Sequence, residues 1–303
     1  MSRQTDVGAA PVALVCELFD LSRSAYYAEL DRQKRQCVLP FEPPARKRGA
    51  ASRAPTEQVL AAIREIIADQ RAWGVRKVWA TLRRPPEKGG KGLTVSRRRV
   101  HALMKAHGLV LARDTEPGEP TRVGSVAVPE PNRRFGTDLT TVWTKRDGVV
   151  AIVPTLDYGC RSALSLIVTK DQHGPEILAS LEAALEAAFG APGNVPQGVD
   201  VRTDHGPQFT SGDCEALCDA WGVEQTFAPV GRPTGNAVVE RFIRTMKEEV
   251  VWLRDWETAD ELRTALEKWV THYNTRRPHQ ALGWLTPAEY RAERLGIRLS
   301  AAA

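Results

Sequence analysis

Three neighbouring segments rich in β-branched and apolar residues constrain the fold of this chain most strongly. They are separated by the turn-forming tetrapeptides KRDG and YGCR, and they read FGTDLTTVWT, GVVAIVPTLD and SALSLIVTK. Runs of this length and composition, bounded by turn residues, are typical of β-strands. Short connections of this kind join antiparallel neighbours. The region from Phe135 to Lys170 is therefore predicted to form three antiparallel strands.

Helices and strands alternate after these three strands. The predicted elements are a helix over 174–189, the strand VDVRTD, a helix over 211–221, the strand VEQTFA, and a helix within GNAVVERFIRTMKEEV that opens a C-terminal helical region. Three antiparallel strands followed by helix, strand, helix, strand and helix form the element order of the α/β ribonuclease-H-like (RNase-H-like) fold.

The N-terminal part of the chain is predicted to be helical. Ser22 is placed to cap the second of two helices in VALVCELFDLSRSAYYAEL, and Thr56 is placed to cap TEQVLAAIREIIADQ. A further helix is predicted over Val75–Arg83. Ser96 is placed to cap RRRVHALMKAH, and Gly108 is placed to end that helix.

These patterns predict a chain of several domains. The predicted parts are an N-terminal helical, helix-turn-helix-like segment (1–35), a basic linker (36–54), a helix-turn-helix DNA-binding domain (55–111), a second linker (112–132), an RNase-H-like catalytic core (133–253) and a C-terminal helical region (254–303).

The charge of the chain is distributed unevenly. Residues 1–133 carry 24 Lys and Arg against 14 Asp and Glu, whereas residues 134–303 carry 18 against 23. A basic first part attached to a mildly acidic second part indicates a polyanion-binding region joined to a domain that uses carboxylates. Nucleic acid is the expected polyanion, because phosphate contacts dominate its affinity for proteins.

The helix RRRVHALMKAH has the features of a DNA-recognition helix. Val100, Leu103 and Met104 are expected to face inward, whereas three arginines crowd the first turn: Arg97, Arg98 and Arg99. A helix N-terminus favours anions, so three cations there would repel one another unless phosphate or guanine meets them. The alternative is a solvated basic turn.

Composition excludes several other classes of protein. No apolar run approaches the roughly 18 residues of a membrane span, and the N-terminus lacks a signal-peptide pattern. The five cysteines are odd in number and scattered, so neither a disulfide framework nor a zinc site is indicated. We therefore expect a protein of a reducing cytoplasm.

Three acidic residues stand out by their placement. Asp138 falls inside the first predicted strand, where a charge among apolar neighbours is costly unless it is paired or binds metal. Asp204 ends the strand VDVRTD, and ligand sites in open α/β sheets gather where strands end. Glu240 lies on the helix after the next strand, with 35 residues between it and Asp204.

Glu240 belongs to a polar stripe on its helix. Residues three and four positions apart are neighbours on a helix, so Asn236, Glu240, Arg244 and Lys247 share one side. The simplest interpretation is a solvated face on which Glu240 pairs with Arg244. The functional interpretation is a catalytic edge, and the two acids upstream favour it.

The acids lie within sequence blocks that resemble the DDE transposase and retroviral-type integrase superfamily. RTDHGPQFTS is similar to the block around the second Asp, and GNAVVERFIRTMKEE to the block around the Glu. HYNTRRPHQALGWLTPAEY resembles the C-terminal signature of bacterial insertion-sequence-three-type OrfB transposases. WGVRKVWATL and SRRRVHALMKAHGL resemble the helix-turn-helix that precedes their core. The resemblance extends over roughly residues 10 to 290.

The chain departs from the family pattern in two places. Many relatives have Trp shortly before the first Asp, where this chain has Phe135, and the loop PPEKGGKG resembles a small insertion. Neither departure affects the acids. The zinc module of retroviral integrases is absent from the sequence.

The resemblance implies catalytic and metal-binding roles for Asp138, Asp204 and Glu240. Two Mg²⁺ or Mn²⁺ ions are implied in each active site, with Asp138 shared by both, Asp204 on one and Glu240 on the other. The implied reaction is DNA cleavage and strand transfer at the ends of an insertion sequence. The implied partners are double-stranded DNA, further copies of the chain on that DNA, and an upstream-frame OrfA-type protein, with no membrane.

Further residues are expected to contact DNA. Arg244 and Lys247 would hold its backbone, and Asn236 would orient the backbone or a base. The cluster Tyr273, Asn274, Arg276, Arg277 and His279 is expected to make DNA or interdomain contacts. His205 could act as a general base, but a DNA-contacting or supporting role is favoured. Core or subunit-interface positions are expected for Trp252, Trp256 and Trp269, in preference to base-stacking platforms.

Two other functions remain open from the sequence. A DNA-binding regulator with a non-catalytic core would share the helix-turn-helix, although the intact acids and Lys247 argue against it. A structure-specific nuclease of the RNase-H fold would lack the YNTRRPH and LTPAEY motifs.

Overall fold

The computed structural model describes residues 12–18, 22–36, 54–111, 128–171, 175–228 and 236–297. The chain divides into two compact units, residues 1–51 and residues 52–303. The first unit contains helices α1 (Val12–Leu18) and α2 (Arg23–Gln36). The Ser22 hydroxyl accepts a hydrogen bond from the Ala25 amide at 3.2 Å, which confirms the predicted cap.

The second unit begins with a module of three helices, α3 (Thr56–Asp69), α4 (Val75–Arg83) and α5 (Arg97–Ala106). Its core contains Val59, Ile63, Val78, Leu82, Val100 and Met104. The predictions for α4, for the Ser96 cap and for Gly108 beyond the end of α5 are confirmed. The prediction for Thr56 is wrong: Pro55 is the capping residue and Thr56 is the first helical residue.

Six strands form one mixed sheet in the described part of the second unit. They are β1 (Arg134–Thr137), β2 (Thr140–Thr144), β3 (Gly148–Asp157), β4 (Ala163–Thr169), β5 (Asp200–Thr203) and β6 (Glu224–Phe227). β3 pairs antiparallel with β1, β2 and β4. β5 lies parallel between β1 and β6.

Helices cover both faces of this sheet. They are α6 (Pro175–Phe189), α7 (Gly212–Trp221), α8 (Ala237–Glu249), α9 (Ala259–Thr275) and α10 (Pro287–Leu295). α6 and α7 pack on Phe135, Val153 and Val201, whereas α8 and α9 pack on residues of β3 and β4. The element order is the one predicted for an RNase-H-like fold.

The first predicted strand is interrupted at Asp138. β1 and β2 pair with β3 in one continuous register, in which Thr137 lies opposite Thr155 and Thr140 lies opposite Ile152. That register sets Asp138 opposite Pro154, which has no amide hydrogen to donate to the ladder. Asp138 therefore follows the end of β1, and its predicted position inside a strand is wrong.

Charged side chains attach the three-helix module to the C-terminal helices. Arg84, which caps the end of α4, donates to Glu289 of α10 at 2.7 Å, and Lys77 of α4 donates to Glu249 of α8 at 3.0 Å. Arg84 is 9% exposed, so this contact is an interior one. Within the described residues, no helix is long and apolar enough to cross a membrane.

Candidate active site

Two of the predicted catalytic acids follow neighbouring parallel strands. β1 pairs with β5 in a register that sets Gly136 opposite Arg202, and this offset of 66 positions is also the separation of Asp138 and Asp204. Adjacent strands lie about 4.8 Å apart. The two acids therefore leave the sheet side by side at its carboxyl edge, where α/β folds place their ligand sites.

Each of these carboxylates is held by an amide of its own loop. Oδ1 of Asp138 accepts from the Leu139 amide at 2.8 Å, and Oδ1 of Asp204 accepts from the Gly206 amide at 3.0 Å. Both residues are partly buried. One oxygen of each carboxylate thus fixes the side chain, and the other oxygen is left for a ligand.

The third acid lies on α8, which packs closely on the end of β1. A Cβ atom at Gly136 would lie 2.3 Å from the Tyr158 ring and 2.9 Å from a Val239 methyl group. Only glycine allows this approach. Glu240 is the next residue after Val239, and it is exposed on the outer side of the helix.

A buried amide fixes the start of α8 against the same strand. Asn236 donates from Nδ2 to the Thr137 carbonyl at 3.1 Å, and its Oδ1 accepts from the Tyr158 hydroxyl at 2.7 Å. Its backbone carbonyl accepts from the Glu240 amide at 3.0 Å. Asn236 therefore sets the position of Glu240 relative to Asp138 through the residue that precedes Asp138.

The charges of Asp204 and Glu240 act on Asp138, which is partly buried. Burial raises the pKa of Asp138 to about 6, the charges of Asp204 and Glu240 add to this rise, and the Leu139 amide and Lys247 oppose it. Partial burial also raises the pKa of Glu240. Mutual repulsion of this kind arises when carboxylates are brought together without a cation.

The acids fit a divalent cation by their chemistry more than by preformed geometry. Carboxylate oxygens are the hard ligands that Mg²⁺ prefers, and a cation would offset the charge that Asp204 and Glu240 add around the partly buried Asp138. Across the described residues, however, no three His, Cys, Asp or Glu side chains are close enough together to hold one ion. The side chains would have to draw together around the ion.

Two basic residues follow Glu240 on α8. Lys247 is partly buried, and its charge lowers the pKa of Asp138. Arg244 is exposed and donates from Nε to Glu248 at 2.8 Å, so it forms its i,i+4 pair with Glu248. The simpler interpretation of the polar stripe assigned that pair to Glu240.

The structure corrects two of the predicted DNA contacts. Asn236 is 4% exposed, and its amide is engaged by Thr137 and Tyr158, so it cannot orient DNA. Arg277 is 7% exposed, and its guanidinium donates to Glu249 at 3.1 Å, so it is an internal contact. Arg276, in contrast, is exposed.

Other members of the C-terminal cluster are also internal. Tyr273 is buried against Phe242, and Asn274 exchanges hydrogen bonds with the Ala163 backbone. His205 stacks on the Phe227 ring at 4.9 Å, and its Nε2 lies 3.1 Å from the Ala228 carbonyl. His205 thus has a supporting position next to Asp204.

The basic turn of α5 is only partly free. Arg97 and Arg98 are exposed, whereas Arg99 donates from Nη2 to the Thr56 hydroxyl at 2.9 Å. Arg99 therefore joins α5 to the start of α3. Among the described residues, no side chain pairs with the guanidinium groups of Arg97 and Arg98.

Sequence reasoning missed Tyr158 and Glu249. Tyr158 positions Asn236, and burial holds the pKa of its hydroxyl well above the usual range, so it remains a donor. Glu249 accepts from Lys77, Arg277 and Trp269. For Glu249, the available signal was that an acidic residue falls within the apolar face of α8. For Tyr158, the sequence contained no such signal.

Comparison with known families matches most of the described chain. Residues 55–114 match the family described as HTH-like domain. Residues 128–233 and residues 221–287 match two families that are both described as Integrase core domain. The matched segments correspond to the three-helix module and to the sheet with its C-terminal helices.

One relative and two solved structures illustrate what the chain is similar to. The chain is 28% identical over 240 residues to the Escherichia coli transposase InsD for insertion element IS2A/D/F/H/I/K, covering 78% of this chain and 79% of the relative. It is similar to a chain of the simian T-cell lymphotropic virus intasome (17% identity, TM-score 0.44, 65% and 67% covered). It is also similar to the HTLV-2 integrase catalytic core domain in complex with magnesium (15% identity, TM-score 0.39, 54% and 97% covered).

Proposed function

Since this chain belongs to the DDE transposase and integrase superfamily and is a transposase of the insertion-sequence-three type, we propose that Asp138, Asp204 and Glu240 are its catalytic acids. In this proposal the protein cleaves DNA at insertion-sequence ends and transfers the cut strand to a second DNA. The alternative is a DNA-binding regulator whose core does not react.

One observation supports the proposal above all others. Asp138 and Asp204 leave parallel neighbouring strands at equivalent positions, and Glu240 is held against the same strand end through Asn236. Burial is the main cause of the raised pKa of Asp138, and the charges of Asp204 and Glu240 add to it, which supports a shared location for the three acids. Carboxyl edges of α/β sheets are where ligand sites gather, and carboxylates with a shifted pKa are typical of functional sites.

The proposed cofactors are two divalent cations, Mg²⁺ or Mn²⁺. Asp138 would contribute to both ions, Asp204 to one and Glu240 to the other. When bound, such ions stabilise the attacking and leaving oxygens of an in-line displacement at phosphorus. Asn236 and Tyr158 maintain the position of Glu240 beside Asp138.

The reaction is proposed to proceed as two displacements at phosphorus. In the first, a water oxygen bonds to phosphorus at the element end, and the bond from phosphorus to the 3′ oxygen breaks. In the second, the freed 3′-hydroxyl oxygen bonds to a phosphorus of the second DNA and displaces a 3′-hydroxyl there. Lys247 and Arg244 would hold the phosphate backbone beside the acids.

DNA recognition is proposed to lie in the three-helix module. Arg97 and Arg98 are exposed on the first turn of α5, where a helix N-terminus also favours phosphate. Arg276, which is exposed at the end of α9, is a further candidate for a phosphate contact. We expect several copies of the chain to assemble on DNA, with an OrfA-type protein as an additional partner. Since its substrate is DNA, we place the protein in the bacterial cytoplasm, at the nucleoid.

Incubation with labelled insertion-sequence ends and Mg²⁺ or Mn²⁺ tests the proposal. The expected products are strands nicked at the element end and strands joined to a second DNA, neither of which forms with EDTA. Binding of the ends without nicks or joined products in either metal would instead support the regulator.

A further inference from the structure

A surface groove with two exposed indole rings lies beside the proposed active site. It has a volume of about 450 Å³ and lies between β2 and the turn that follows α8. Trp143 of β2 and Trp252 of the turn line it, and these side chains are 62% and 65% exposed. Large aromatic side chains are usually buried, so two of them in one groove indicate a binding surface.

Local structure explains why both indoles point outward. Side chains alternate across a strand, and in β2 the neighbouring Thr144 is buried, which directs Trp143 to the surface. Trp256 and Trp269 are buried as predicted, but Trp252 lies in a one-turn 3₁₀ helix and projects into solvent. The prediction of a core or subunit-interface position was therefore right for Trp256 and Trp269, and Trp252 is not in the core.

The groove adjoins the catalytic acids through Lys247. Lys247 lines the groove and lies two helical turns beyond Glu240 on α8, and Thr141, which also lines the groove, follows Asp138 by three residues. Arg254 adds a second cation, whose guanidinium lies 4.2 Å from the centre of the Trp256 ring and pairs with Glu261 at 2.9 Å, and Asp255 adds one negative charge. A chain that passes the acids and continues past Lys247 would enter this groove.

We propose that the groove binds unpaired bases of the DNA strand that passes the catalytic acids. Trp143 and Trp252 provide stacking surfaces, and Lys247 contacts the phosphate between the acids and the stacked bases. This inference rests on the proposed function. The DNA strand would lie in this groove, next to the reacting phosphate, and the end of the duplex would have to open there.

The chemistry of the groove favours single-stranded DNA over a second copy of the chain. Aromatic rings next to cations are the shared feature of surfaces that bind single strands, because every base has a stacking face and every phosphate a negative charge. Lys247 and Arg254 complement that charge. Polar side chains line the groove together with the indoles. An interface between copies of the chain needs a larger, flatter apolar area.

The test compares two fluorescent DNA probes binding to the full-length protein in EDTA, where no cleavage occurs. One probe is a fully paired duplex end, and the other is the same duplex with unpaired terminal bases. The wild-type protein should bind the unpaired end more tightly. The double variant Trp143→Ala/Trp252→Ala should bind that probe about tenfold more weakly and the paired probe normally. Trp252→Phe should retain most of the preference, since a phenyl ring still stacks.

Leu253→Ala provides the matched control. Leu253 is 61% exposed and adjacent to Trp252, but it is not part of the groove, so its loss should leave both affinities unchanged. An unpaired iodouracil at the probe end should also cross-link to Trp143 or Trp252.

Four results would overturn either the inference or the proposed function on which it rests. An undiminished preference in the double variant refutes the groove assignment. If the double variant bound both probes like the wild type but formed a smaller assembly in sedimentation, the groove would be assigned to a second copy of the chain. Because binding is measured without cleavage, a protein that prefers unpaired ends through this groove but never cuts DNA refutes the proposed function alone. A protein that cuts and joins DNA with no such preference refutes the inference alone.

Discussion

Lys77 of α4 and Glu249 of α8 form an ion pair with 3.0 Å between Nζ and Oε1, although 172 residues separate them in the chain. Arg277 and Trp269 donate to the same carboxylate, whose side chain is only 5% exposed. Burial opposes the charge of Glu249, but Arg277 and Lys77 together lower its pKa. The helix that carries Glu240 is thereby fixed to the three-helix module.

Glu249→Gln is expected to destabilise the protein strongly. The change leaves the cations of Lys77 and Arg277 without their buried counter-charge, and breaking a buried pair in this way costs about 3–5 kcal/mol of unfolding free energy. Urea unfolding of the full chain measures the loss. Glu248→Gln is the control, because the exposed pair of Glu248 with Arg244 is worth about 0.3–0.5 kcal/mol. Equal losses in the two variants would show that the buried network contributes little.

Asp138→Asn is expected to stabilise the metal-free protein. The pKa of Asp138 rises from 3.8 to about 6 in the folded protein, so the folded state binds the proton more tightly than the unfolded state. Ionised Asp138 therefore lowers stability as the pH rises from 4 through 6, by about 1–3 kcal/mol in total. In EDTA at pH 8 the variant should melt at a higher temperature than the wild type, and the gap should close near pH 4.

Asp219→Asn provides the comparison, since Asp219 is exposed on α7. Its melting temperature should follow that of the wild type at both pH values. If Asp138→Asn melted at a lower temperature than the wild type at pH 8 in EDTA, the raised pKa of Asp138 in the folded protein would be contradicted.

Arg97→Ala/Arg98→Ala is expected to weaken binding to DNA ends and to reduce its salt dependence. Each lost phosphate contact should lower the slope of log affinity against log salt concentration by about 0.9. Arg99→Ala should act differently, because Arg99 supports the start of α3 through Thr56. Fluorescence anisotropy across a salt series measures the slopes. Arg64→Ala is the control, because it removes one exposed charge from α3. An equal loss of slope in this variant would show that α5 contributes only general positive charge.

Much of the fold and the placement of the acids could be predicted from local sequence. Continuous β-branched runs identified β3 and β4, and the parallel arrangement of β1 and β5 explains why Asp138 and Asp204 meet. The exact end of β1 was not predictable in this way, because it depends on Pro154 in the facing strand.

Contacts distant in sequence account for the wrong predictions. Asn236 and Arg277 both read as polar, DNA-facing residues, yet Tyr158 engages the first and Glu249 engages the second. These partners lie 78 and 28 residues away, so no local pattern reveals them. The predicted Thr56 cap failed for a local reason, because the helix starts directly after Pro55.

Glu240→Gln tests the central claim most directly, because it keeps the shape of the side chain and removes its charge. Glu182→Gln, a change of the same kind on the exposed side of α6, is its control. Binding of insertion-sequence ends should be normal in both variants, as measured by gel shift. With Mg²⁺ or Mn²⁺, strand transfer by Glu240→Gln should fall by several orders of magnitude while Glu182→Gln remains active, because stabilising the transition state at phosphorus is worth several kcal/mol. Joining of DNA by Glu240→Gln at a rate close to wild type would contradict the account and return Glu240 to the solvated face of α8.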